Sequence, residues 1–305
     1  MPTIGSLCTG VAGLDLAVES HFDADLIWVS DNNDKASEFL SVRYPDVPNI
    51  GDLRTADPVA LEVPTILTFG FPCQPVSQAG KHKGTDDDRW LFDDICGFID
   101  RLPDRPELLV IENVRNLLSH DQGRTAHRVV SQVAAMGYDL RWGLVRASDA
   151  GMPHRRERWF AVAAHTDSLG SGRGESRCLS GKTATGEGQG PQRQRLRPHP
   201  RHGGPPPADP DPSGLEGPQP TERHHLLARS SYGPACQRWE LISGQPCPPP
   251  LDDKDRLNPV FTEWAMGFEP GYVTDVIPTR THNLRLLGNS VSPPQAALAL
   301  QLLTS

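Results

Sequence analysis

Two hydrophobic patterns alternate along the chain: short apolar runs and stripes at helical spacing. Ile4–Cys8 is a run of the first kind and predicts a strand. It leads into the glycine-rich turn Thr9-Gly-Val-Ala-Gly-Leu-Asp15 and a helix with Leu14, Ala17 and Val18 on one face. Ala24–Ser30 predicts a second strand, ending at Asp31-Asn-Asn-Asp34. Lys35–Tyr44 is helical, and Pro45 stops it. Asn49-Ile-Gly-Asp52 reads as a short strand end or turn. Pro64–Phe69 is apolar and β-branched, as a buried strand requires. Leu91–Leu102 predicts a helix, and Leu108–Ile111 is a very apolar strand that runs into Glu112-Asn-Val114. Thr125–Met136 has Val129, Val130 and Val133 on its inward stripe and Gly137 just past its end. Tyr138–Val145 alternates, with Leu140, Trp142 and Leu144 on one face, so a half-buried strand is expected. Arg158–Ala164 is another strand. Strands alternating with helices predict an α/β fold with a doubly wound, mostly parallel sheet.

The pattern stops at His165. Residues 171–220 hold 10 Gly and 10 Pro, and no aromatic residue stands between Phe160 and Tyr232. A segment of that kind cannot bury enough apolar surface to offset the entropy of ordering it. Residues 166–222 are therefore expected to be a low-complexity, disordered linker. Its Arg193, Arg195, Arg197 and Arg201 read as solvated. Apolar and aromatic residues return between Trp239 and Phe268, so 223–280 is expected to be a small folded unit. Residues 281–305 are expected to complete the first domain, 1–165, with a C-terminal helix. The stretch Pro293–Leu303 has two prolines at its start and then Ala296, Ala297, Leu298, Leu300 and Leu302.

Composition narrows the class. A chain of 305 residues has ample core for one large domain and a smaller one. No run of 18 apolar residues occurs, and the start shows no charged and apolar leader, so neither a membrane span nor a secretory signal is expected. The six cysteines show no C-x-x-C and no regular spacing. That argues against a metal site or disulfide framework and for a cytoplasmic protein. The net charge of −8 does not fit a non-specific DNA binder, although one local basic face would suffice for DNA.

The candidate chemistry begins at Phe69-Gly-Phe-Pro-Cys-Gln-Pro-Val-Ser77. Pro72 and Pro75 stiffen the loop around Cys73, at a strand's C-terminal end, where open α/β sheets bind ligands. Glu112 ends the strong apolar strand expected beside it, so a thiol and an acid would share one pocket. In Arg155-Arg-Glu-Arg158 the alternation puts Arg156 and Arg158 on one side. The turn Gly10–Gly13 lets a ligand approach a helix N-terminus, and Asp31, about 20 residues on, is placed for ribose hydroxyls. The turn lacks the full G-x-G-x-x-G, which favours an adenosyl group without phosphates. Asp52 is a candidate for an adenine amino group. A cysteine, an acid and an arginine beside an adenosyl site suit one reaction. A thiolate adds at C6 of cytosine, the acid supports N3, an arginine holds O2, and C5 becomes able to attack a methyl sulfonium. In a duplex the base must first be flipped out.

These residues resemble the cytosine-5 DNA methyltransferases of bacterial or phage type, in the family's own motif order. Leu7-Cys-Thr-Gly-Val-Ala-Gly13 is similar to the first cofactor loop, departing from it at Cys8, where Phe is usual, and at Ala12, where Gly is. Gly70-Phe-Pro-Cys-Gln74 resembles the nucleophile motif, Glu112-Asn-Val114 the base-binding motif and His154-Arg-Arg-Glu-Arg158 the arginine motif. Arg89-Trp-Leu-Phe92, Arg256-Leu-Asn-Pro259 with Glu263-Trp-Ala-Met-Gly267, and Gly288-Asn-Ser-Val291 follow in order. The resemblance covers about 1–165 and 256–305 and implies a Rossmann-like class I methyltransferase domain with a small target-recognition region. It implies S-adenosylmethionine as cofactor, with Cys73, Glu112, Arg156 and Arg158 as catalytic residues. The cofactor contacts it implies are Cys8, Thr9, Gly10, Gly13, Asp31, Asn32, Asp52, Leu53, Pro72, Leu91, Asn289 and Ser290. Ser77–Gly84 would close on DNA, with Lys81, His82 and Lys83 at phosphates. The expected partner is double-stranded DNA, with a cognate restriction endonuclease alongside a monomeric enzyme. The rival readings are the same chemistry on tRNA, a catalytically silent DNA-binding relative, and a nicotinamide enzyme. The incomplete glycine fingerprint counts against the last.

Overall fold

A computed structural model describes residues 1–72, 90–166 and 232–305. The nucleophile loop with Cys73, Lys81, His82, Lys83 and Arg89, and most of the expected linker, lie outside the described residues. Among the described residues six strands form one sheet: β1 (Thr3–Leu7), β2 (Asp25–Ser30), β3 (Ile66–Gly70), β4 (Leu108–Val114), β5 (Tyr138–Arg146) and β6 (Glu157–His165). Their order is β2-β1-β3-β4-β6-β5. The first four are parallel, while β6 runs antiparallel to both its neighbours. Only residues 147–156 join β5 to β6, too short a link for the crossover that a parallel pair needs. This reversal brings the start of β6 to the C-terminal end of β4.

Helices α1 (Gly13–Phe22) and α2 (Asp34–Arg43) follow β1 and β2, while α3 (Phe92–Arg101) and α4 (Arg124–Ala135) flank β4 in sequence. The Asn33 side chain caps α2 by accepting from the amides of Lys35 and Ala36. The helices cover both faces of the sheet. One core joins Ile4, Val18, Phe39, Val110 and Phe160, and the other joins Leu67, Phe69, Phe98, Ile111 and Val133. Strand β4 contributes to both, as its continuous apolar run requires. Each such side chain stabilises the fold by about 1.5–3 kcal/mol.

Two expectations change. Leu140, Trp142 and Leu144 do share a strand face, but Trp142 is 45% exposed and Leu144 38%. The face turns over along β5: Tyr138 and Leu140 pack with Val129 and Val133 of α4, whereas Val145 packs with the opposite core. The helix expected at Pro293–Leu303 is α8 (Pro293–Thr304), but the C-terminal helix does not run from 281, because a separate helix, α7 (Arg280–Asn289), precedes it. The break at Ser290–Ser292 precedes Pro293 and Pro294, and the residue before a proline is driven out of the helical region. The buried positions of α8 are Gln295, Ala296, Ala299, Leu300 and Leu303, and Leu302 faces outward.

Before α7 stand α5 (Gly233–Ser243) and the short α6 (Pro259–Ala265). Trp239, Cys236, Cys247 and Trp264 form a third small core with Ala147 and Met152. Buried Glu263 accepts from the amides of Gly271, Val273 and Thr274 and from the Thr274 hydroxyl, at 2.6–2.9 Å. One carboxylate thus holds the turn that leads to α7.

Candidate active site

The C-terminal ends of β1, β3 and β4 open into a cavity of about 520 Å³. The loop after β1 forms one wall. Cys8 and Ala12 hold left-handed backbone, with φ 55° and 57°. Such conformations cost a residue with a Cβ more than glycine, so the loop carries local strain at both positions. Thr9 Oγ1 donates to Ser6 Oγ at 3.0 Å, and the Gly10 amide donates to Asp31 Oδ2 at 2.8 Å. Gly13 sits so close to the Val291 carbonyl that a Cβ would collide with it. The glycine turn is therefore packed directly against the link between α7 and α8. Asn289, the last residue of α7, and Ser290, on that link, line the same cavity.

Glu112 stands in register with Gly70 on β3. A Cβ at Gly70 would lie 3.1 Å from Glu112 Oε2, so the glycine leaves room for the carboxylate. Arg158, two positions from Glu112's cross-strand partner Phe160, brings its Nε to 3.0 Å from Glu112 Oε1. Burial pushes the Glu112 carboxyl above its ordinary range, while Arg158 and then Arg156 pull it back down. Arg156 also lines the cavity, but its Nη1 and Nη2 donate to the carbonyls of Gly288 and Ser290, at 3.0 and 2.5 Å. Its hydrogen bonds tie the end of α7 and the start of the α7–α8 link to the residue just before β6, and Gln295 Nε2 returns the tie by donating to the Val145 and Arg156 carbonyls. Asn113 Nδ2 donates to the Phe71 carbonyl at 3.2 Å, fixing the backbone just before Cys73.

A second cavity of about 310 Å³ adjoins the first, sharing Cys8, Asp31 and Pro72 with it. Asn32, Asp52, Leu53 and Leu91 line it. Asp52 takes a fork from Arg54, at 3.0 and 2.7 Å, and a 3.1 Å bond from Asn32 Nδ2. The Arg54 fork is the main reason its carboxyl falls to about 2. Burial pushes the Cys8 thiol up to about 12, so it is a neutral wall group and no nucleophile. Every described residue expected to touch cofactor or base thus lines one cavity or the other, and Cys73 lies outside the described residues. Sequence reasoning missed Ser6, Asp15 and Thr68 at the first cavity, and His282 and Arg285 of α7. The signal for Asp15 was an acid on the buried face of a first helical turn.

These features fit an adenosyl ligand without phosphates. The Gly10 amide is already spent on a carboxylate, and Asp31 beside it would repel a pyrophosphate. A profile described as C-5 cytosine-specific DNA methylase matches residues 3–188, more than half the chain. The chain belongs to that family. Type II methyltransferase M1.ScrFI of Lactococcus lactis subsp. cremoris is 33% identical over 164 residues, 53% of this chain and 41% of that protein. Type II methyltransferase M.NlaX of Neisseria lactamica is 35% identical over 158 residues, 51% of this chain and 50% of that protein. The matched segment spans half or less of these methylases' length. The crystal structure of Spodoptera frugiperda DNMT2 superposes with a TM-score of 0.61 at 17% identity, over 100% of both chains, and so shares the methylase fold. Among the described residues no helix is long and apolar enough to cross a membrane.

Proposed function

We propose that this methylase transfers a methyl group from S-adenosylmethionine to C5 of a flipped-out cytosine in double-stranded DNA, through a covalent adduct with Cys73. The observation that carries the proposal is the buried Glu112–Arg158 pair, in register with the strand that leads to Cys73. When bound, S-adenosylmethionine supplies an electrophilic methyl group. The chain's residues do the rest. The Cys73 thiolate adds to C6 of the ring. Glu112, held high in its range by burial, bonds N3 as an acid and stabilises the negative charge that reaches the ring. Arg158 holds Glu112 in place and presents its guanidinium to the same pocket. C5 then takes the methyl group, its proton leaves to a base, and the C6–S bond breaks to restore the aromatic ring and free the thiolate. Arg156 is given a positioning role through Gly288 and Ser290.

For the cofactor, Asp31 would take the ribose hydroxyls. Cys8, Leu53, Pro72 and Leu91 would border the adenine, Asp52 and Asn32 its amino edge, and Asn289 and Ser290 the far wall. The domain reading follows: residues 1–165 with the C-terminal helices form the catalytic unit, and residues within 223–280 help to read the target.

The test is transfer of labelled methyl from S-adenosylmethionine to duplex DNA and, in parallel, to tRNA, followed by bisulfite sequencing. Label at cytosine C5 in DNA is expected. Label confined to tRNA, or absent from both, contradicts the proposal.

A further inference from the structure

Asp15 lies in the first turn of α1 and lines the first cavity, yet it is only 1% exposed. Its Oδ2 accepts from Ser6 Oγ at 3.0 Å, and its Oδ1 accepts from Thr68 Oγ1. Among the described residues no lysine, arginine or histidine pairs with it. The groups that ease its charge are these two hydroxyls and its own backbone. Burial pushes the Asp15 carboxyl up to about 6. The neighbouring titratable groups are acids and offer it no countercharge. Asp31 borders the same cavity, and Glu19, one turn along α1, is pushed up to about 7 by burial and then by Asp15 and Asp25.

A buried carboxylate is costly unless a cation compensates it. Glu112 carries its cation within the protein, as Arg158. Asp15 has two hydroxyls and a helix N-terminus, which offset part of the cost. Among the described residues no cation supplies the remainder, and the cavity that Asp15 lines is open to a ligand that would.

We infer that Asp15 is a specificity-determining residue: it supplies the fixed negative charge that holds a positively charged group of the adenosyl ligand. This rests on the cofactor reading above and sharpens it. S-adenosylmethionine carries two such groups, a sulfonium and an ammonium. A neutral adenosyl compound of similar shape carries neither and gains nothing from Asp15.

The test is calorimetric titration of the full chain and its Asp15→Asn variant with three ligands, without turnover. S-adenosylmethionine has both charges, S-adenosylhomocysteine keeps the ammonium alone, and 5′-methylthioadenosine has neither. Asp15→Asn should weaken S-adenosylmethionine by about 10- to 100-fold, the range for a hydrogen bond to a charged group, and leave methylthioadenosine within about twofold. The homocysteine arm names the source. A loss equal to that of S-adenosylmethionine assigns the ammonium; no loss assigns the sulfonium. Equal losses on all three ligands, or no loss on any, overturn the inference. Asp15→Ser repeats the comparison should the Asn variant not fold, and Asp15→Glu, which keeps the charge, should keep most of the preference. Failure of the unaltered chain to bind any of the three overturns the cofactor reading as well, a result distinct from a ligand-independent loss.

Discussion

Glu112 and Asp15 border one cavity from opposite structural origins, a strand end and a helix start, and both are buried, 8% and 1% exposed. Glu112 has a guanidinium at 3.0 Å, brought there by the antiparallel return of β6. Asp15 has hydroxyls. On the proposed function, the difference teaches how one pocket would serve two ligands. A group that must act as an acid toward a neutral base needs its charge managed by the protein. A group that meets a cationic ligand can leave part of its compensation to that ligand.

The sharpest way to break this comparison is to neutralise each acid in turn. Glu112→Gln is expected to lower kcat by about 10²–10⁴-fold with little change in cofactor affinity, measured by single-turnover methyl transfer and calorimetry. If the two variants lose turnover and cofactor affinity in the same proportion, the division of roles is wrong. Arg158→Ala leaves Glu112 buried without its nearest cation. A stability loss of about 3–5 kcal/mol in denaturant unfolding is expected, and much less when Glu112→Gln is already present. Additive losses would show that the pair is not coupled.

The smallest effect concerns pH. The Asp15 carboxyl rises from 3.8 to about 6 on folding, so the folded state favours the protonated form. Stability from that group is complete below the unfolded value and lost as pH rises through the folded one. The ligand-free chain should therefore lose up to about 3 kcal/mol relative to Asp15→Asn between roughly pH 4 and pH 6, seen as a widening gap in Tm. A gap that does not change with pH would mean that Asp15 is not carrying an uncompensated charge.

Much of this architecture was legible in the residues. The apolar run Leu108–Ile111, the glycine turn after β1 and Asp31 at the end of β2 each announce their place through local rules, and the structure collects them around one opening. What was hidden depends on long-range geometry. The reversal of β6 rests on the shortness of its link to β5, and nothing within Arg158–Ala164 records it. The turnover of buried faces along β5 arises because different helices cover its two halves. Arg156 and Arg158 alternate as expected, yet one bonds the α7–α8 carbonyls and the other Glu112, a choice made by residues more than a hundred positions away in one case. Asp15 sits near a helix start, where an acid has an ordinary local explanation. That no lysine, arginine or histidine among the described residues pairs with it is visible only once β1, β3 and α1 are packed together.

The central claim is that the Cys73 sulfur adds to a cytosine held against Glu112. The most direct measurement is incubation of the chain with S-adenosylmethionine and a duplex in which 5-fluorocytosine replaces the target cytosine, followed by denaturing electrophoresis and peptide mapping. Fluorine at C5 blocks the final proton loss, so the adduct cannot resolve. A denaturation-resistant conjugate mapped to Cys73, absent in Cys73→Ser, is the predicted result; methylation of ordinary cytosine by Cys73→Ser, or no conjugate from a chain that methylates DNA, would contradict it.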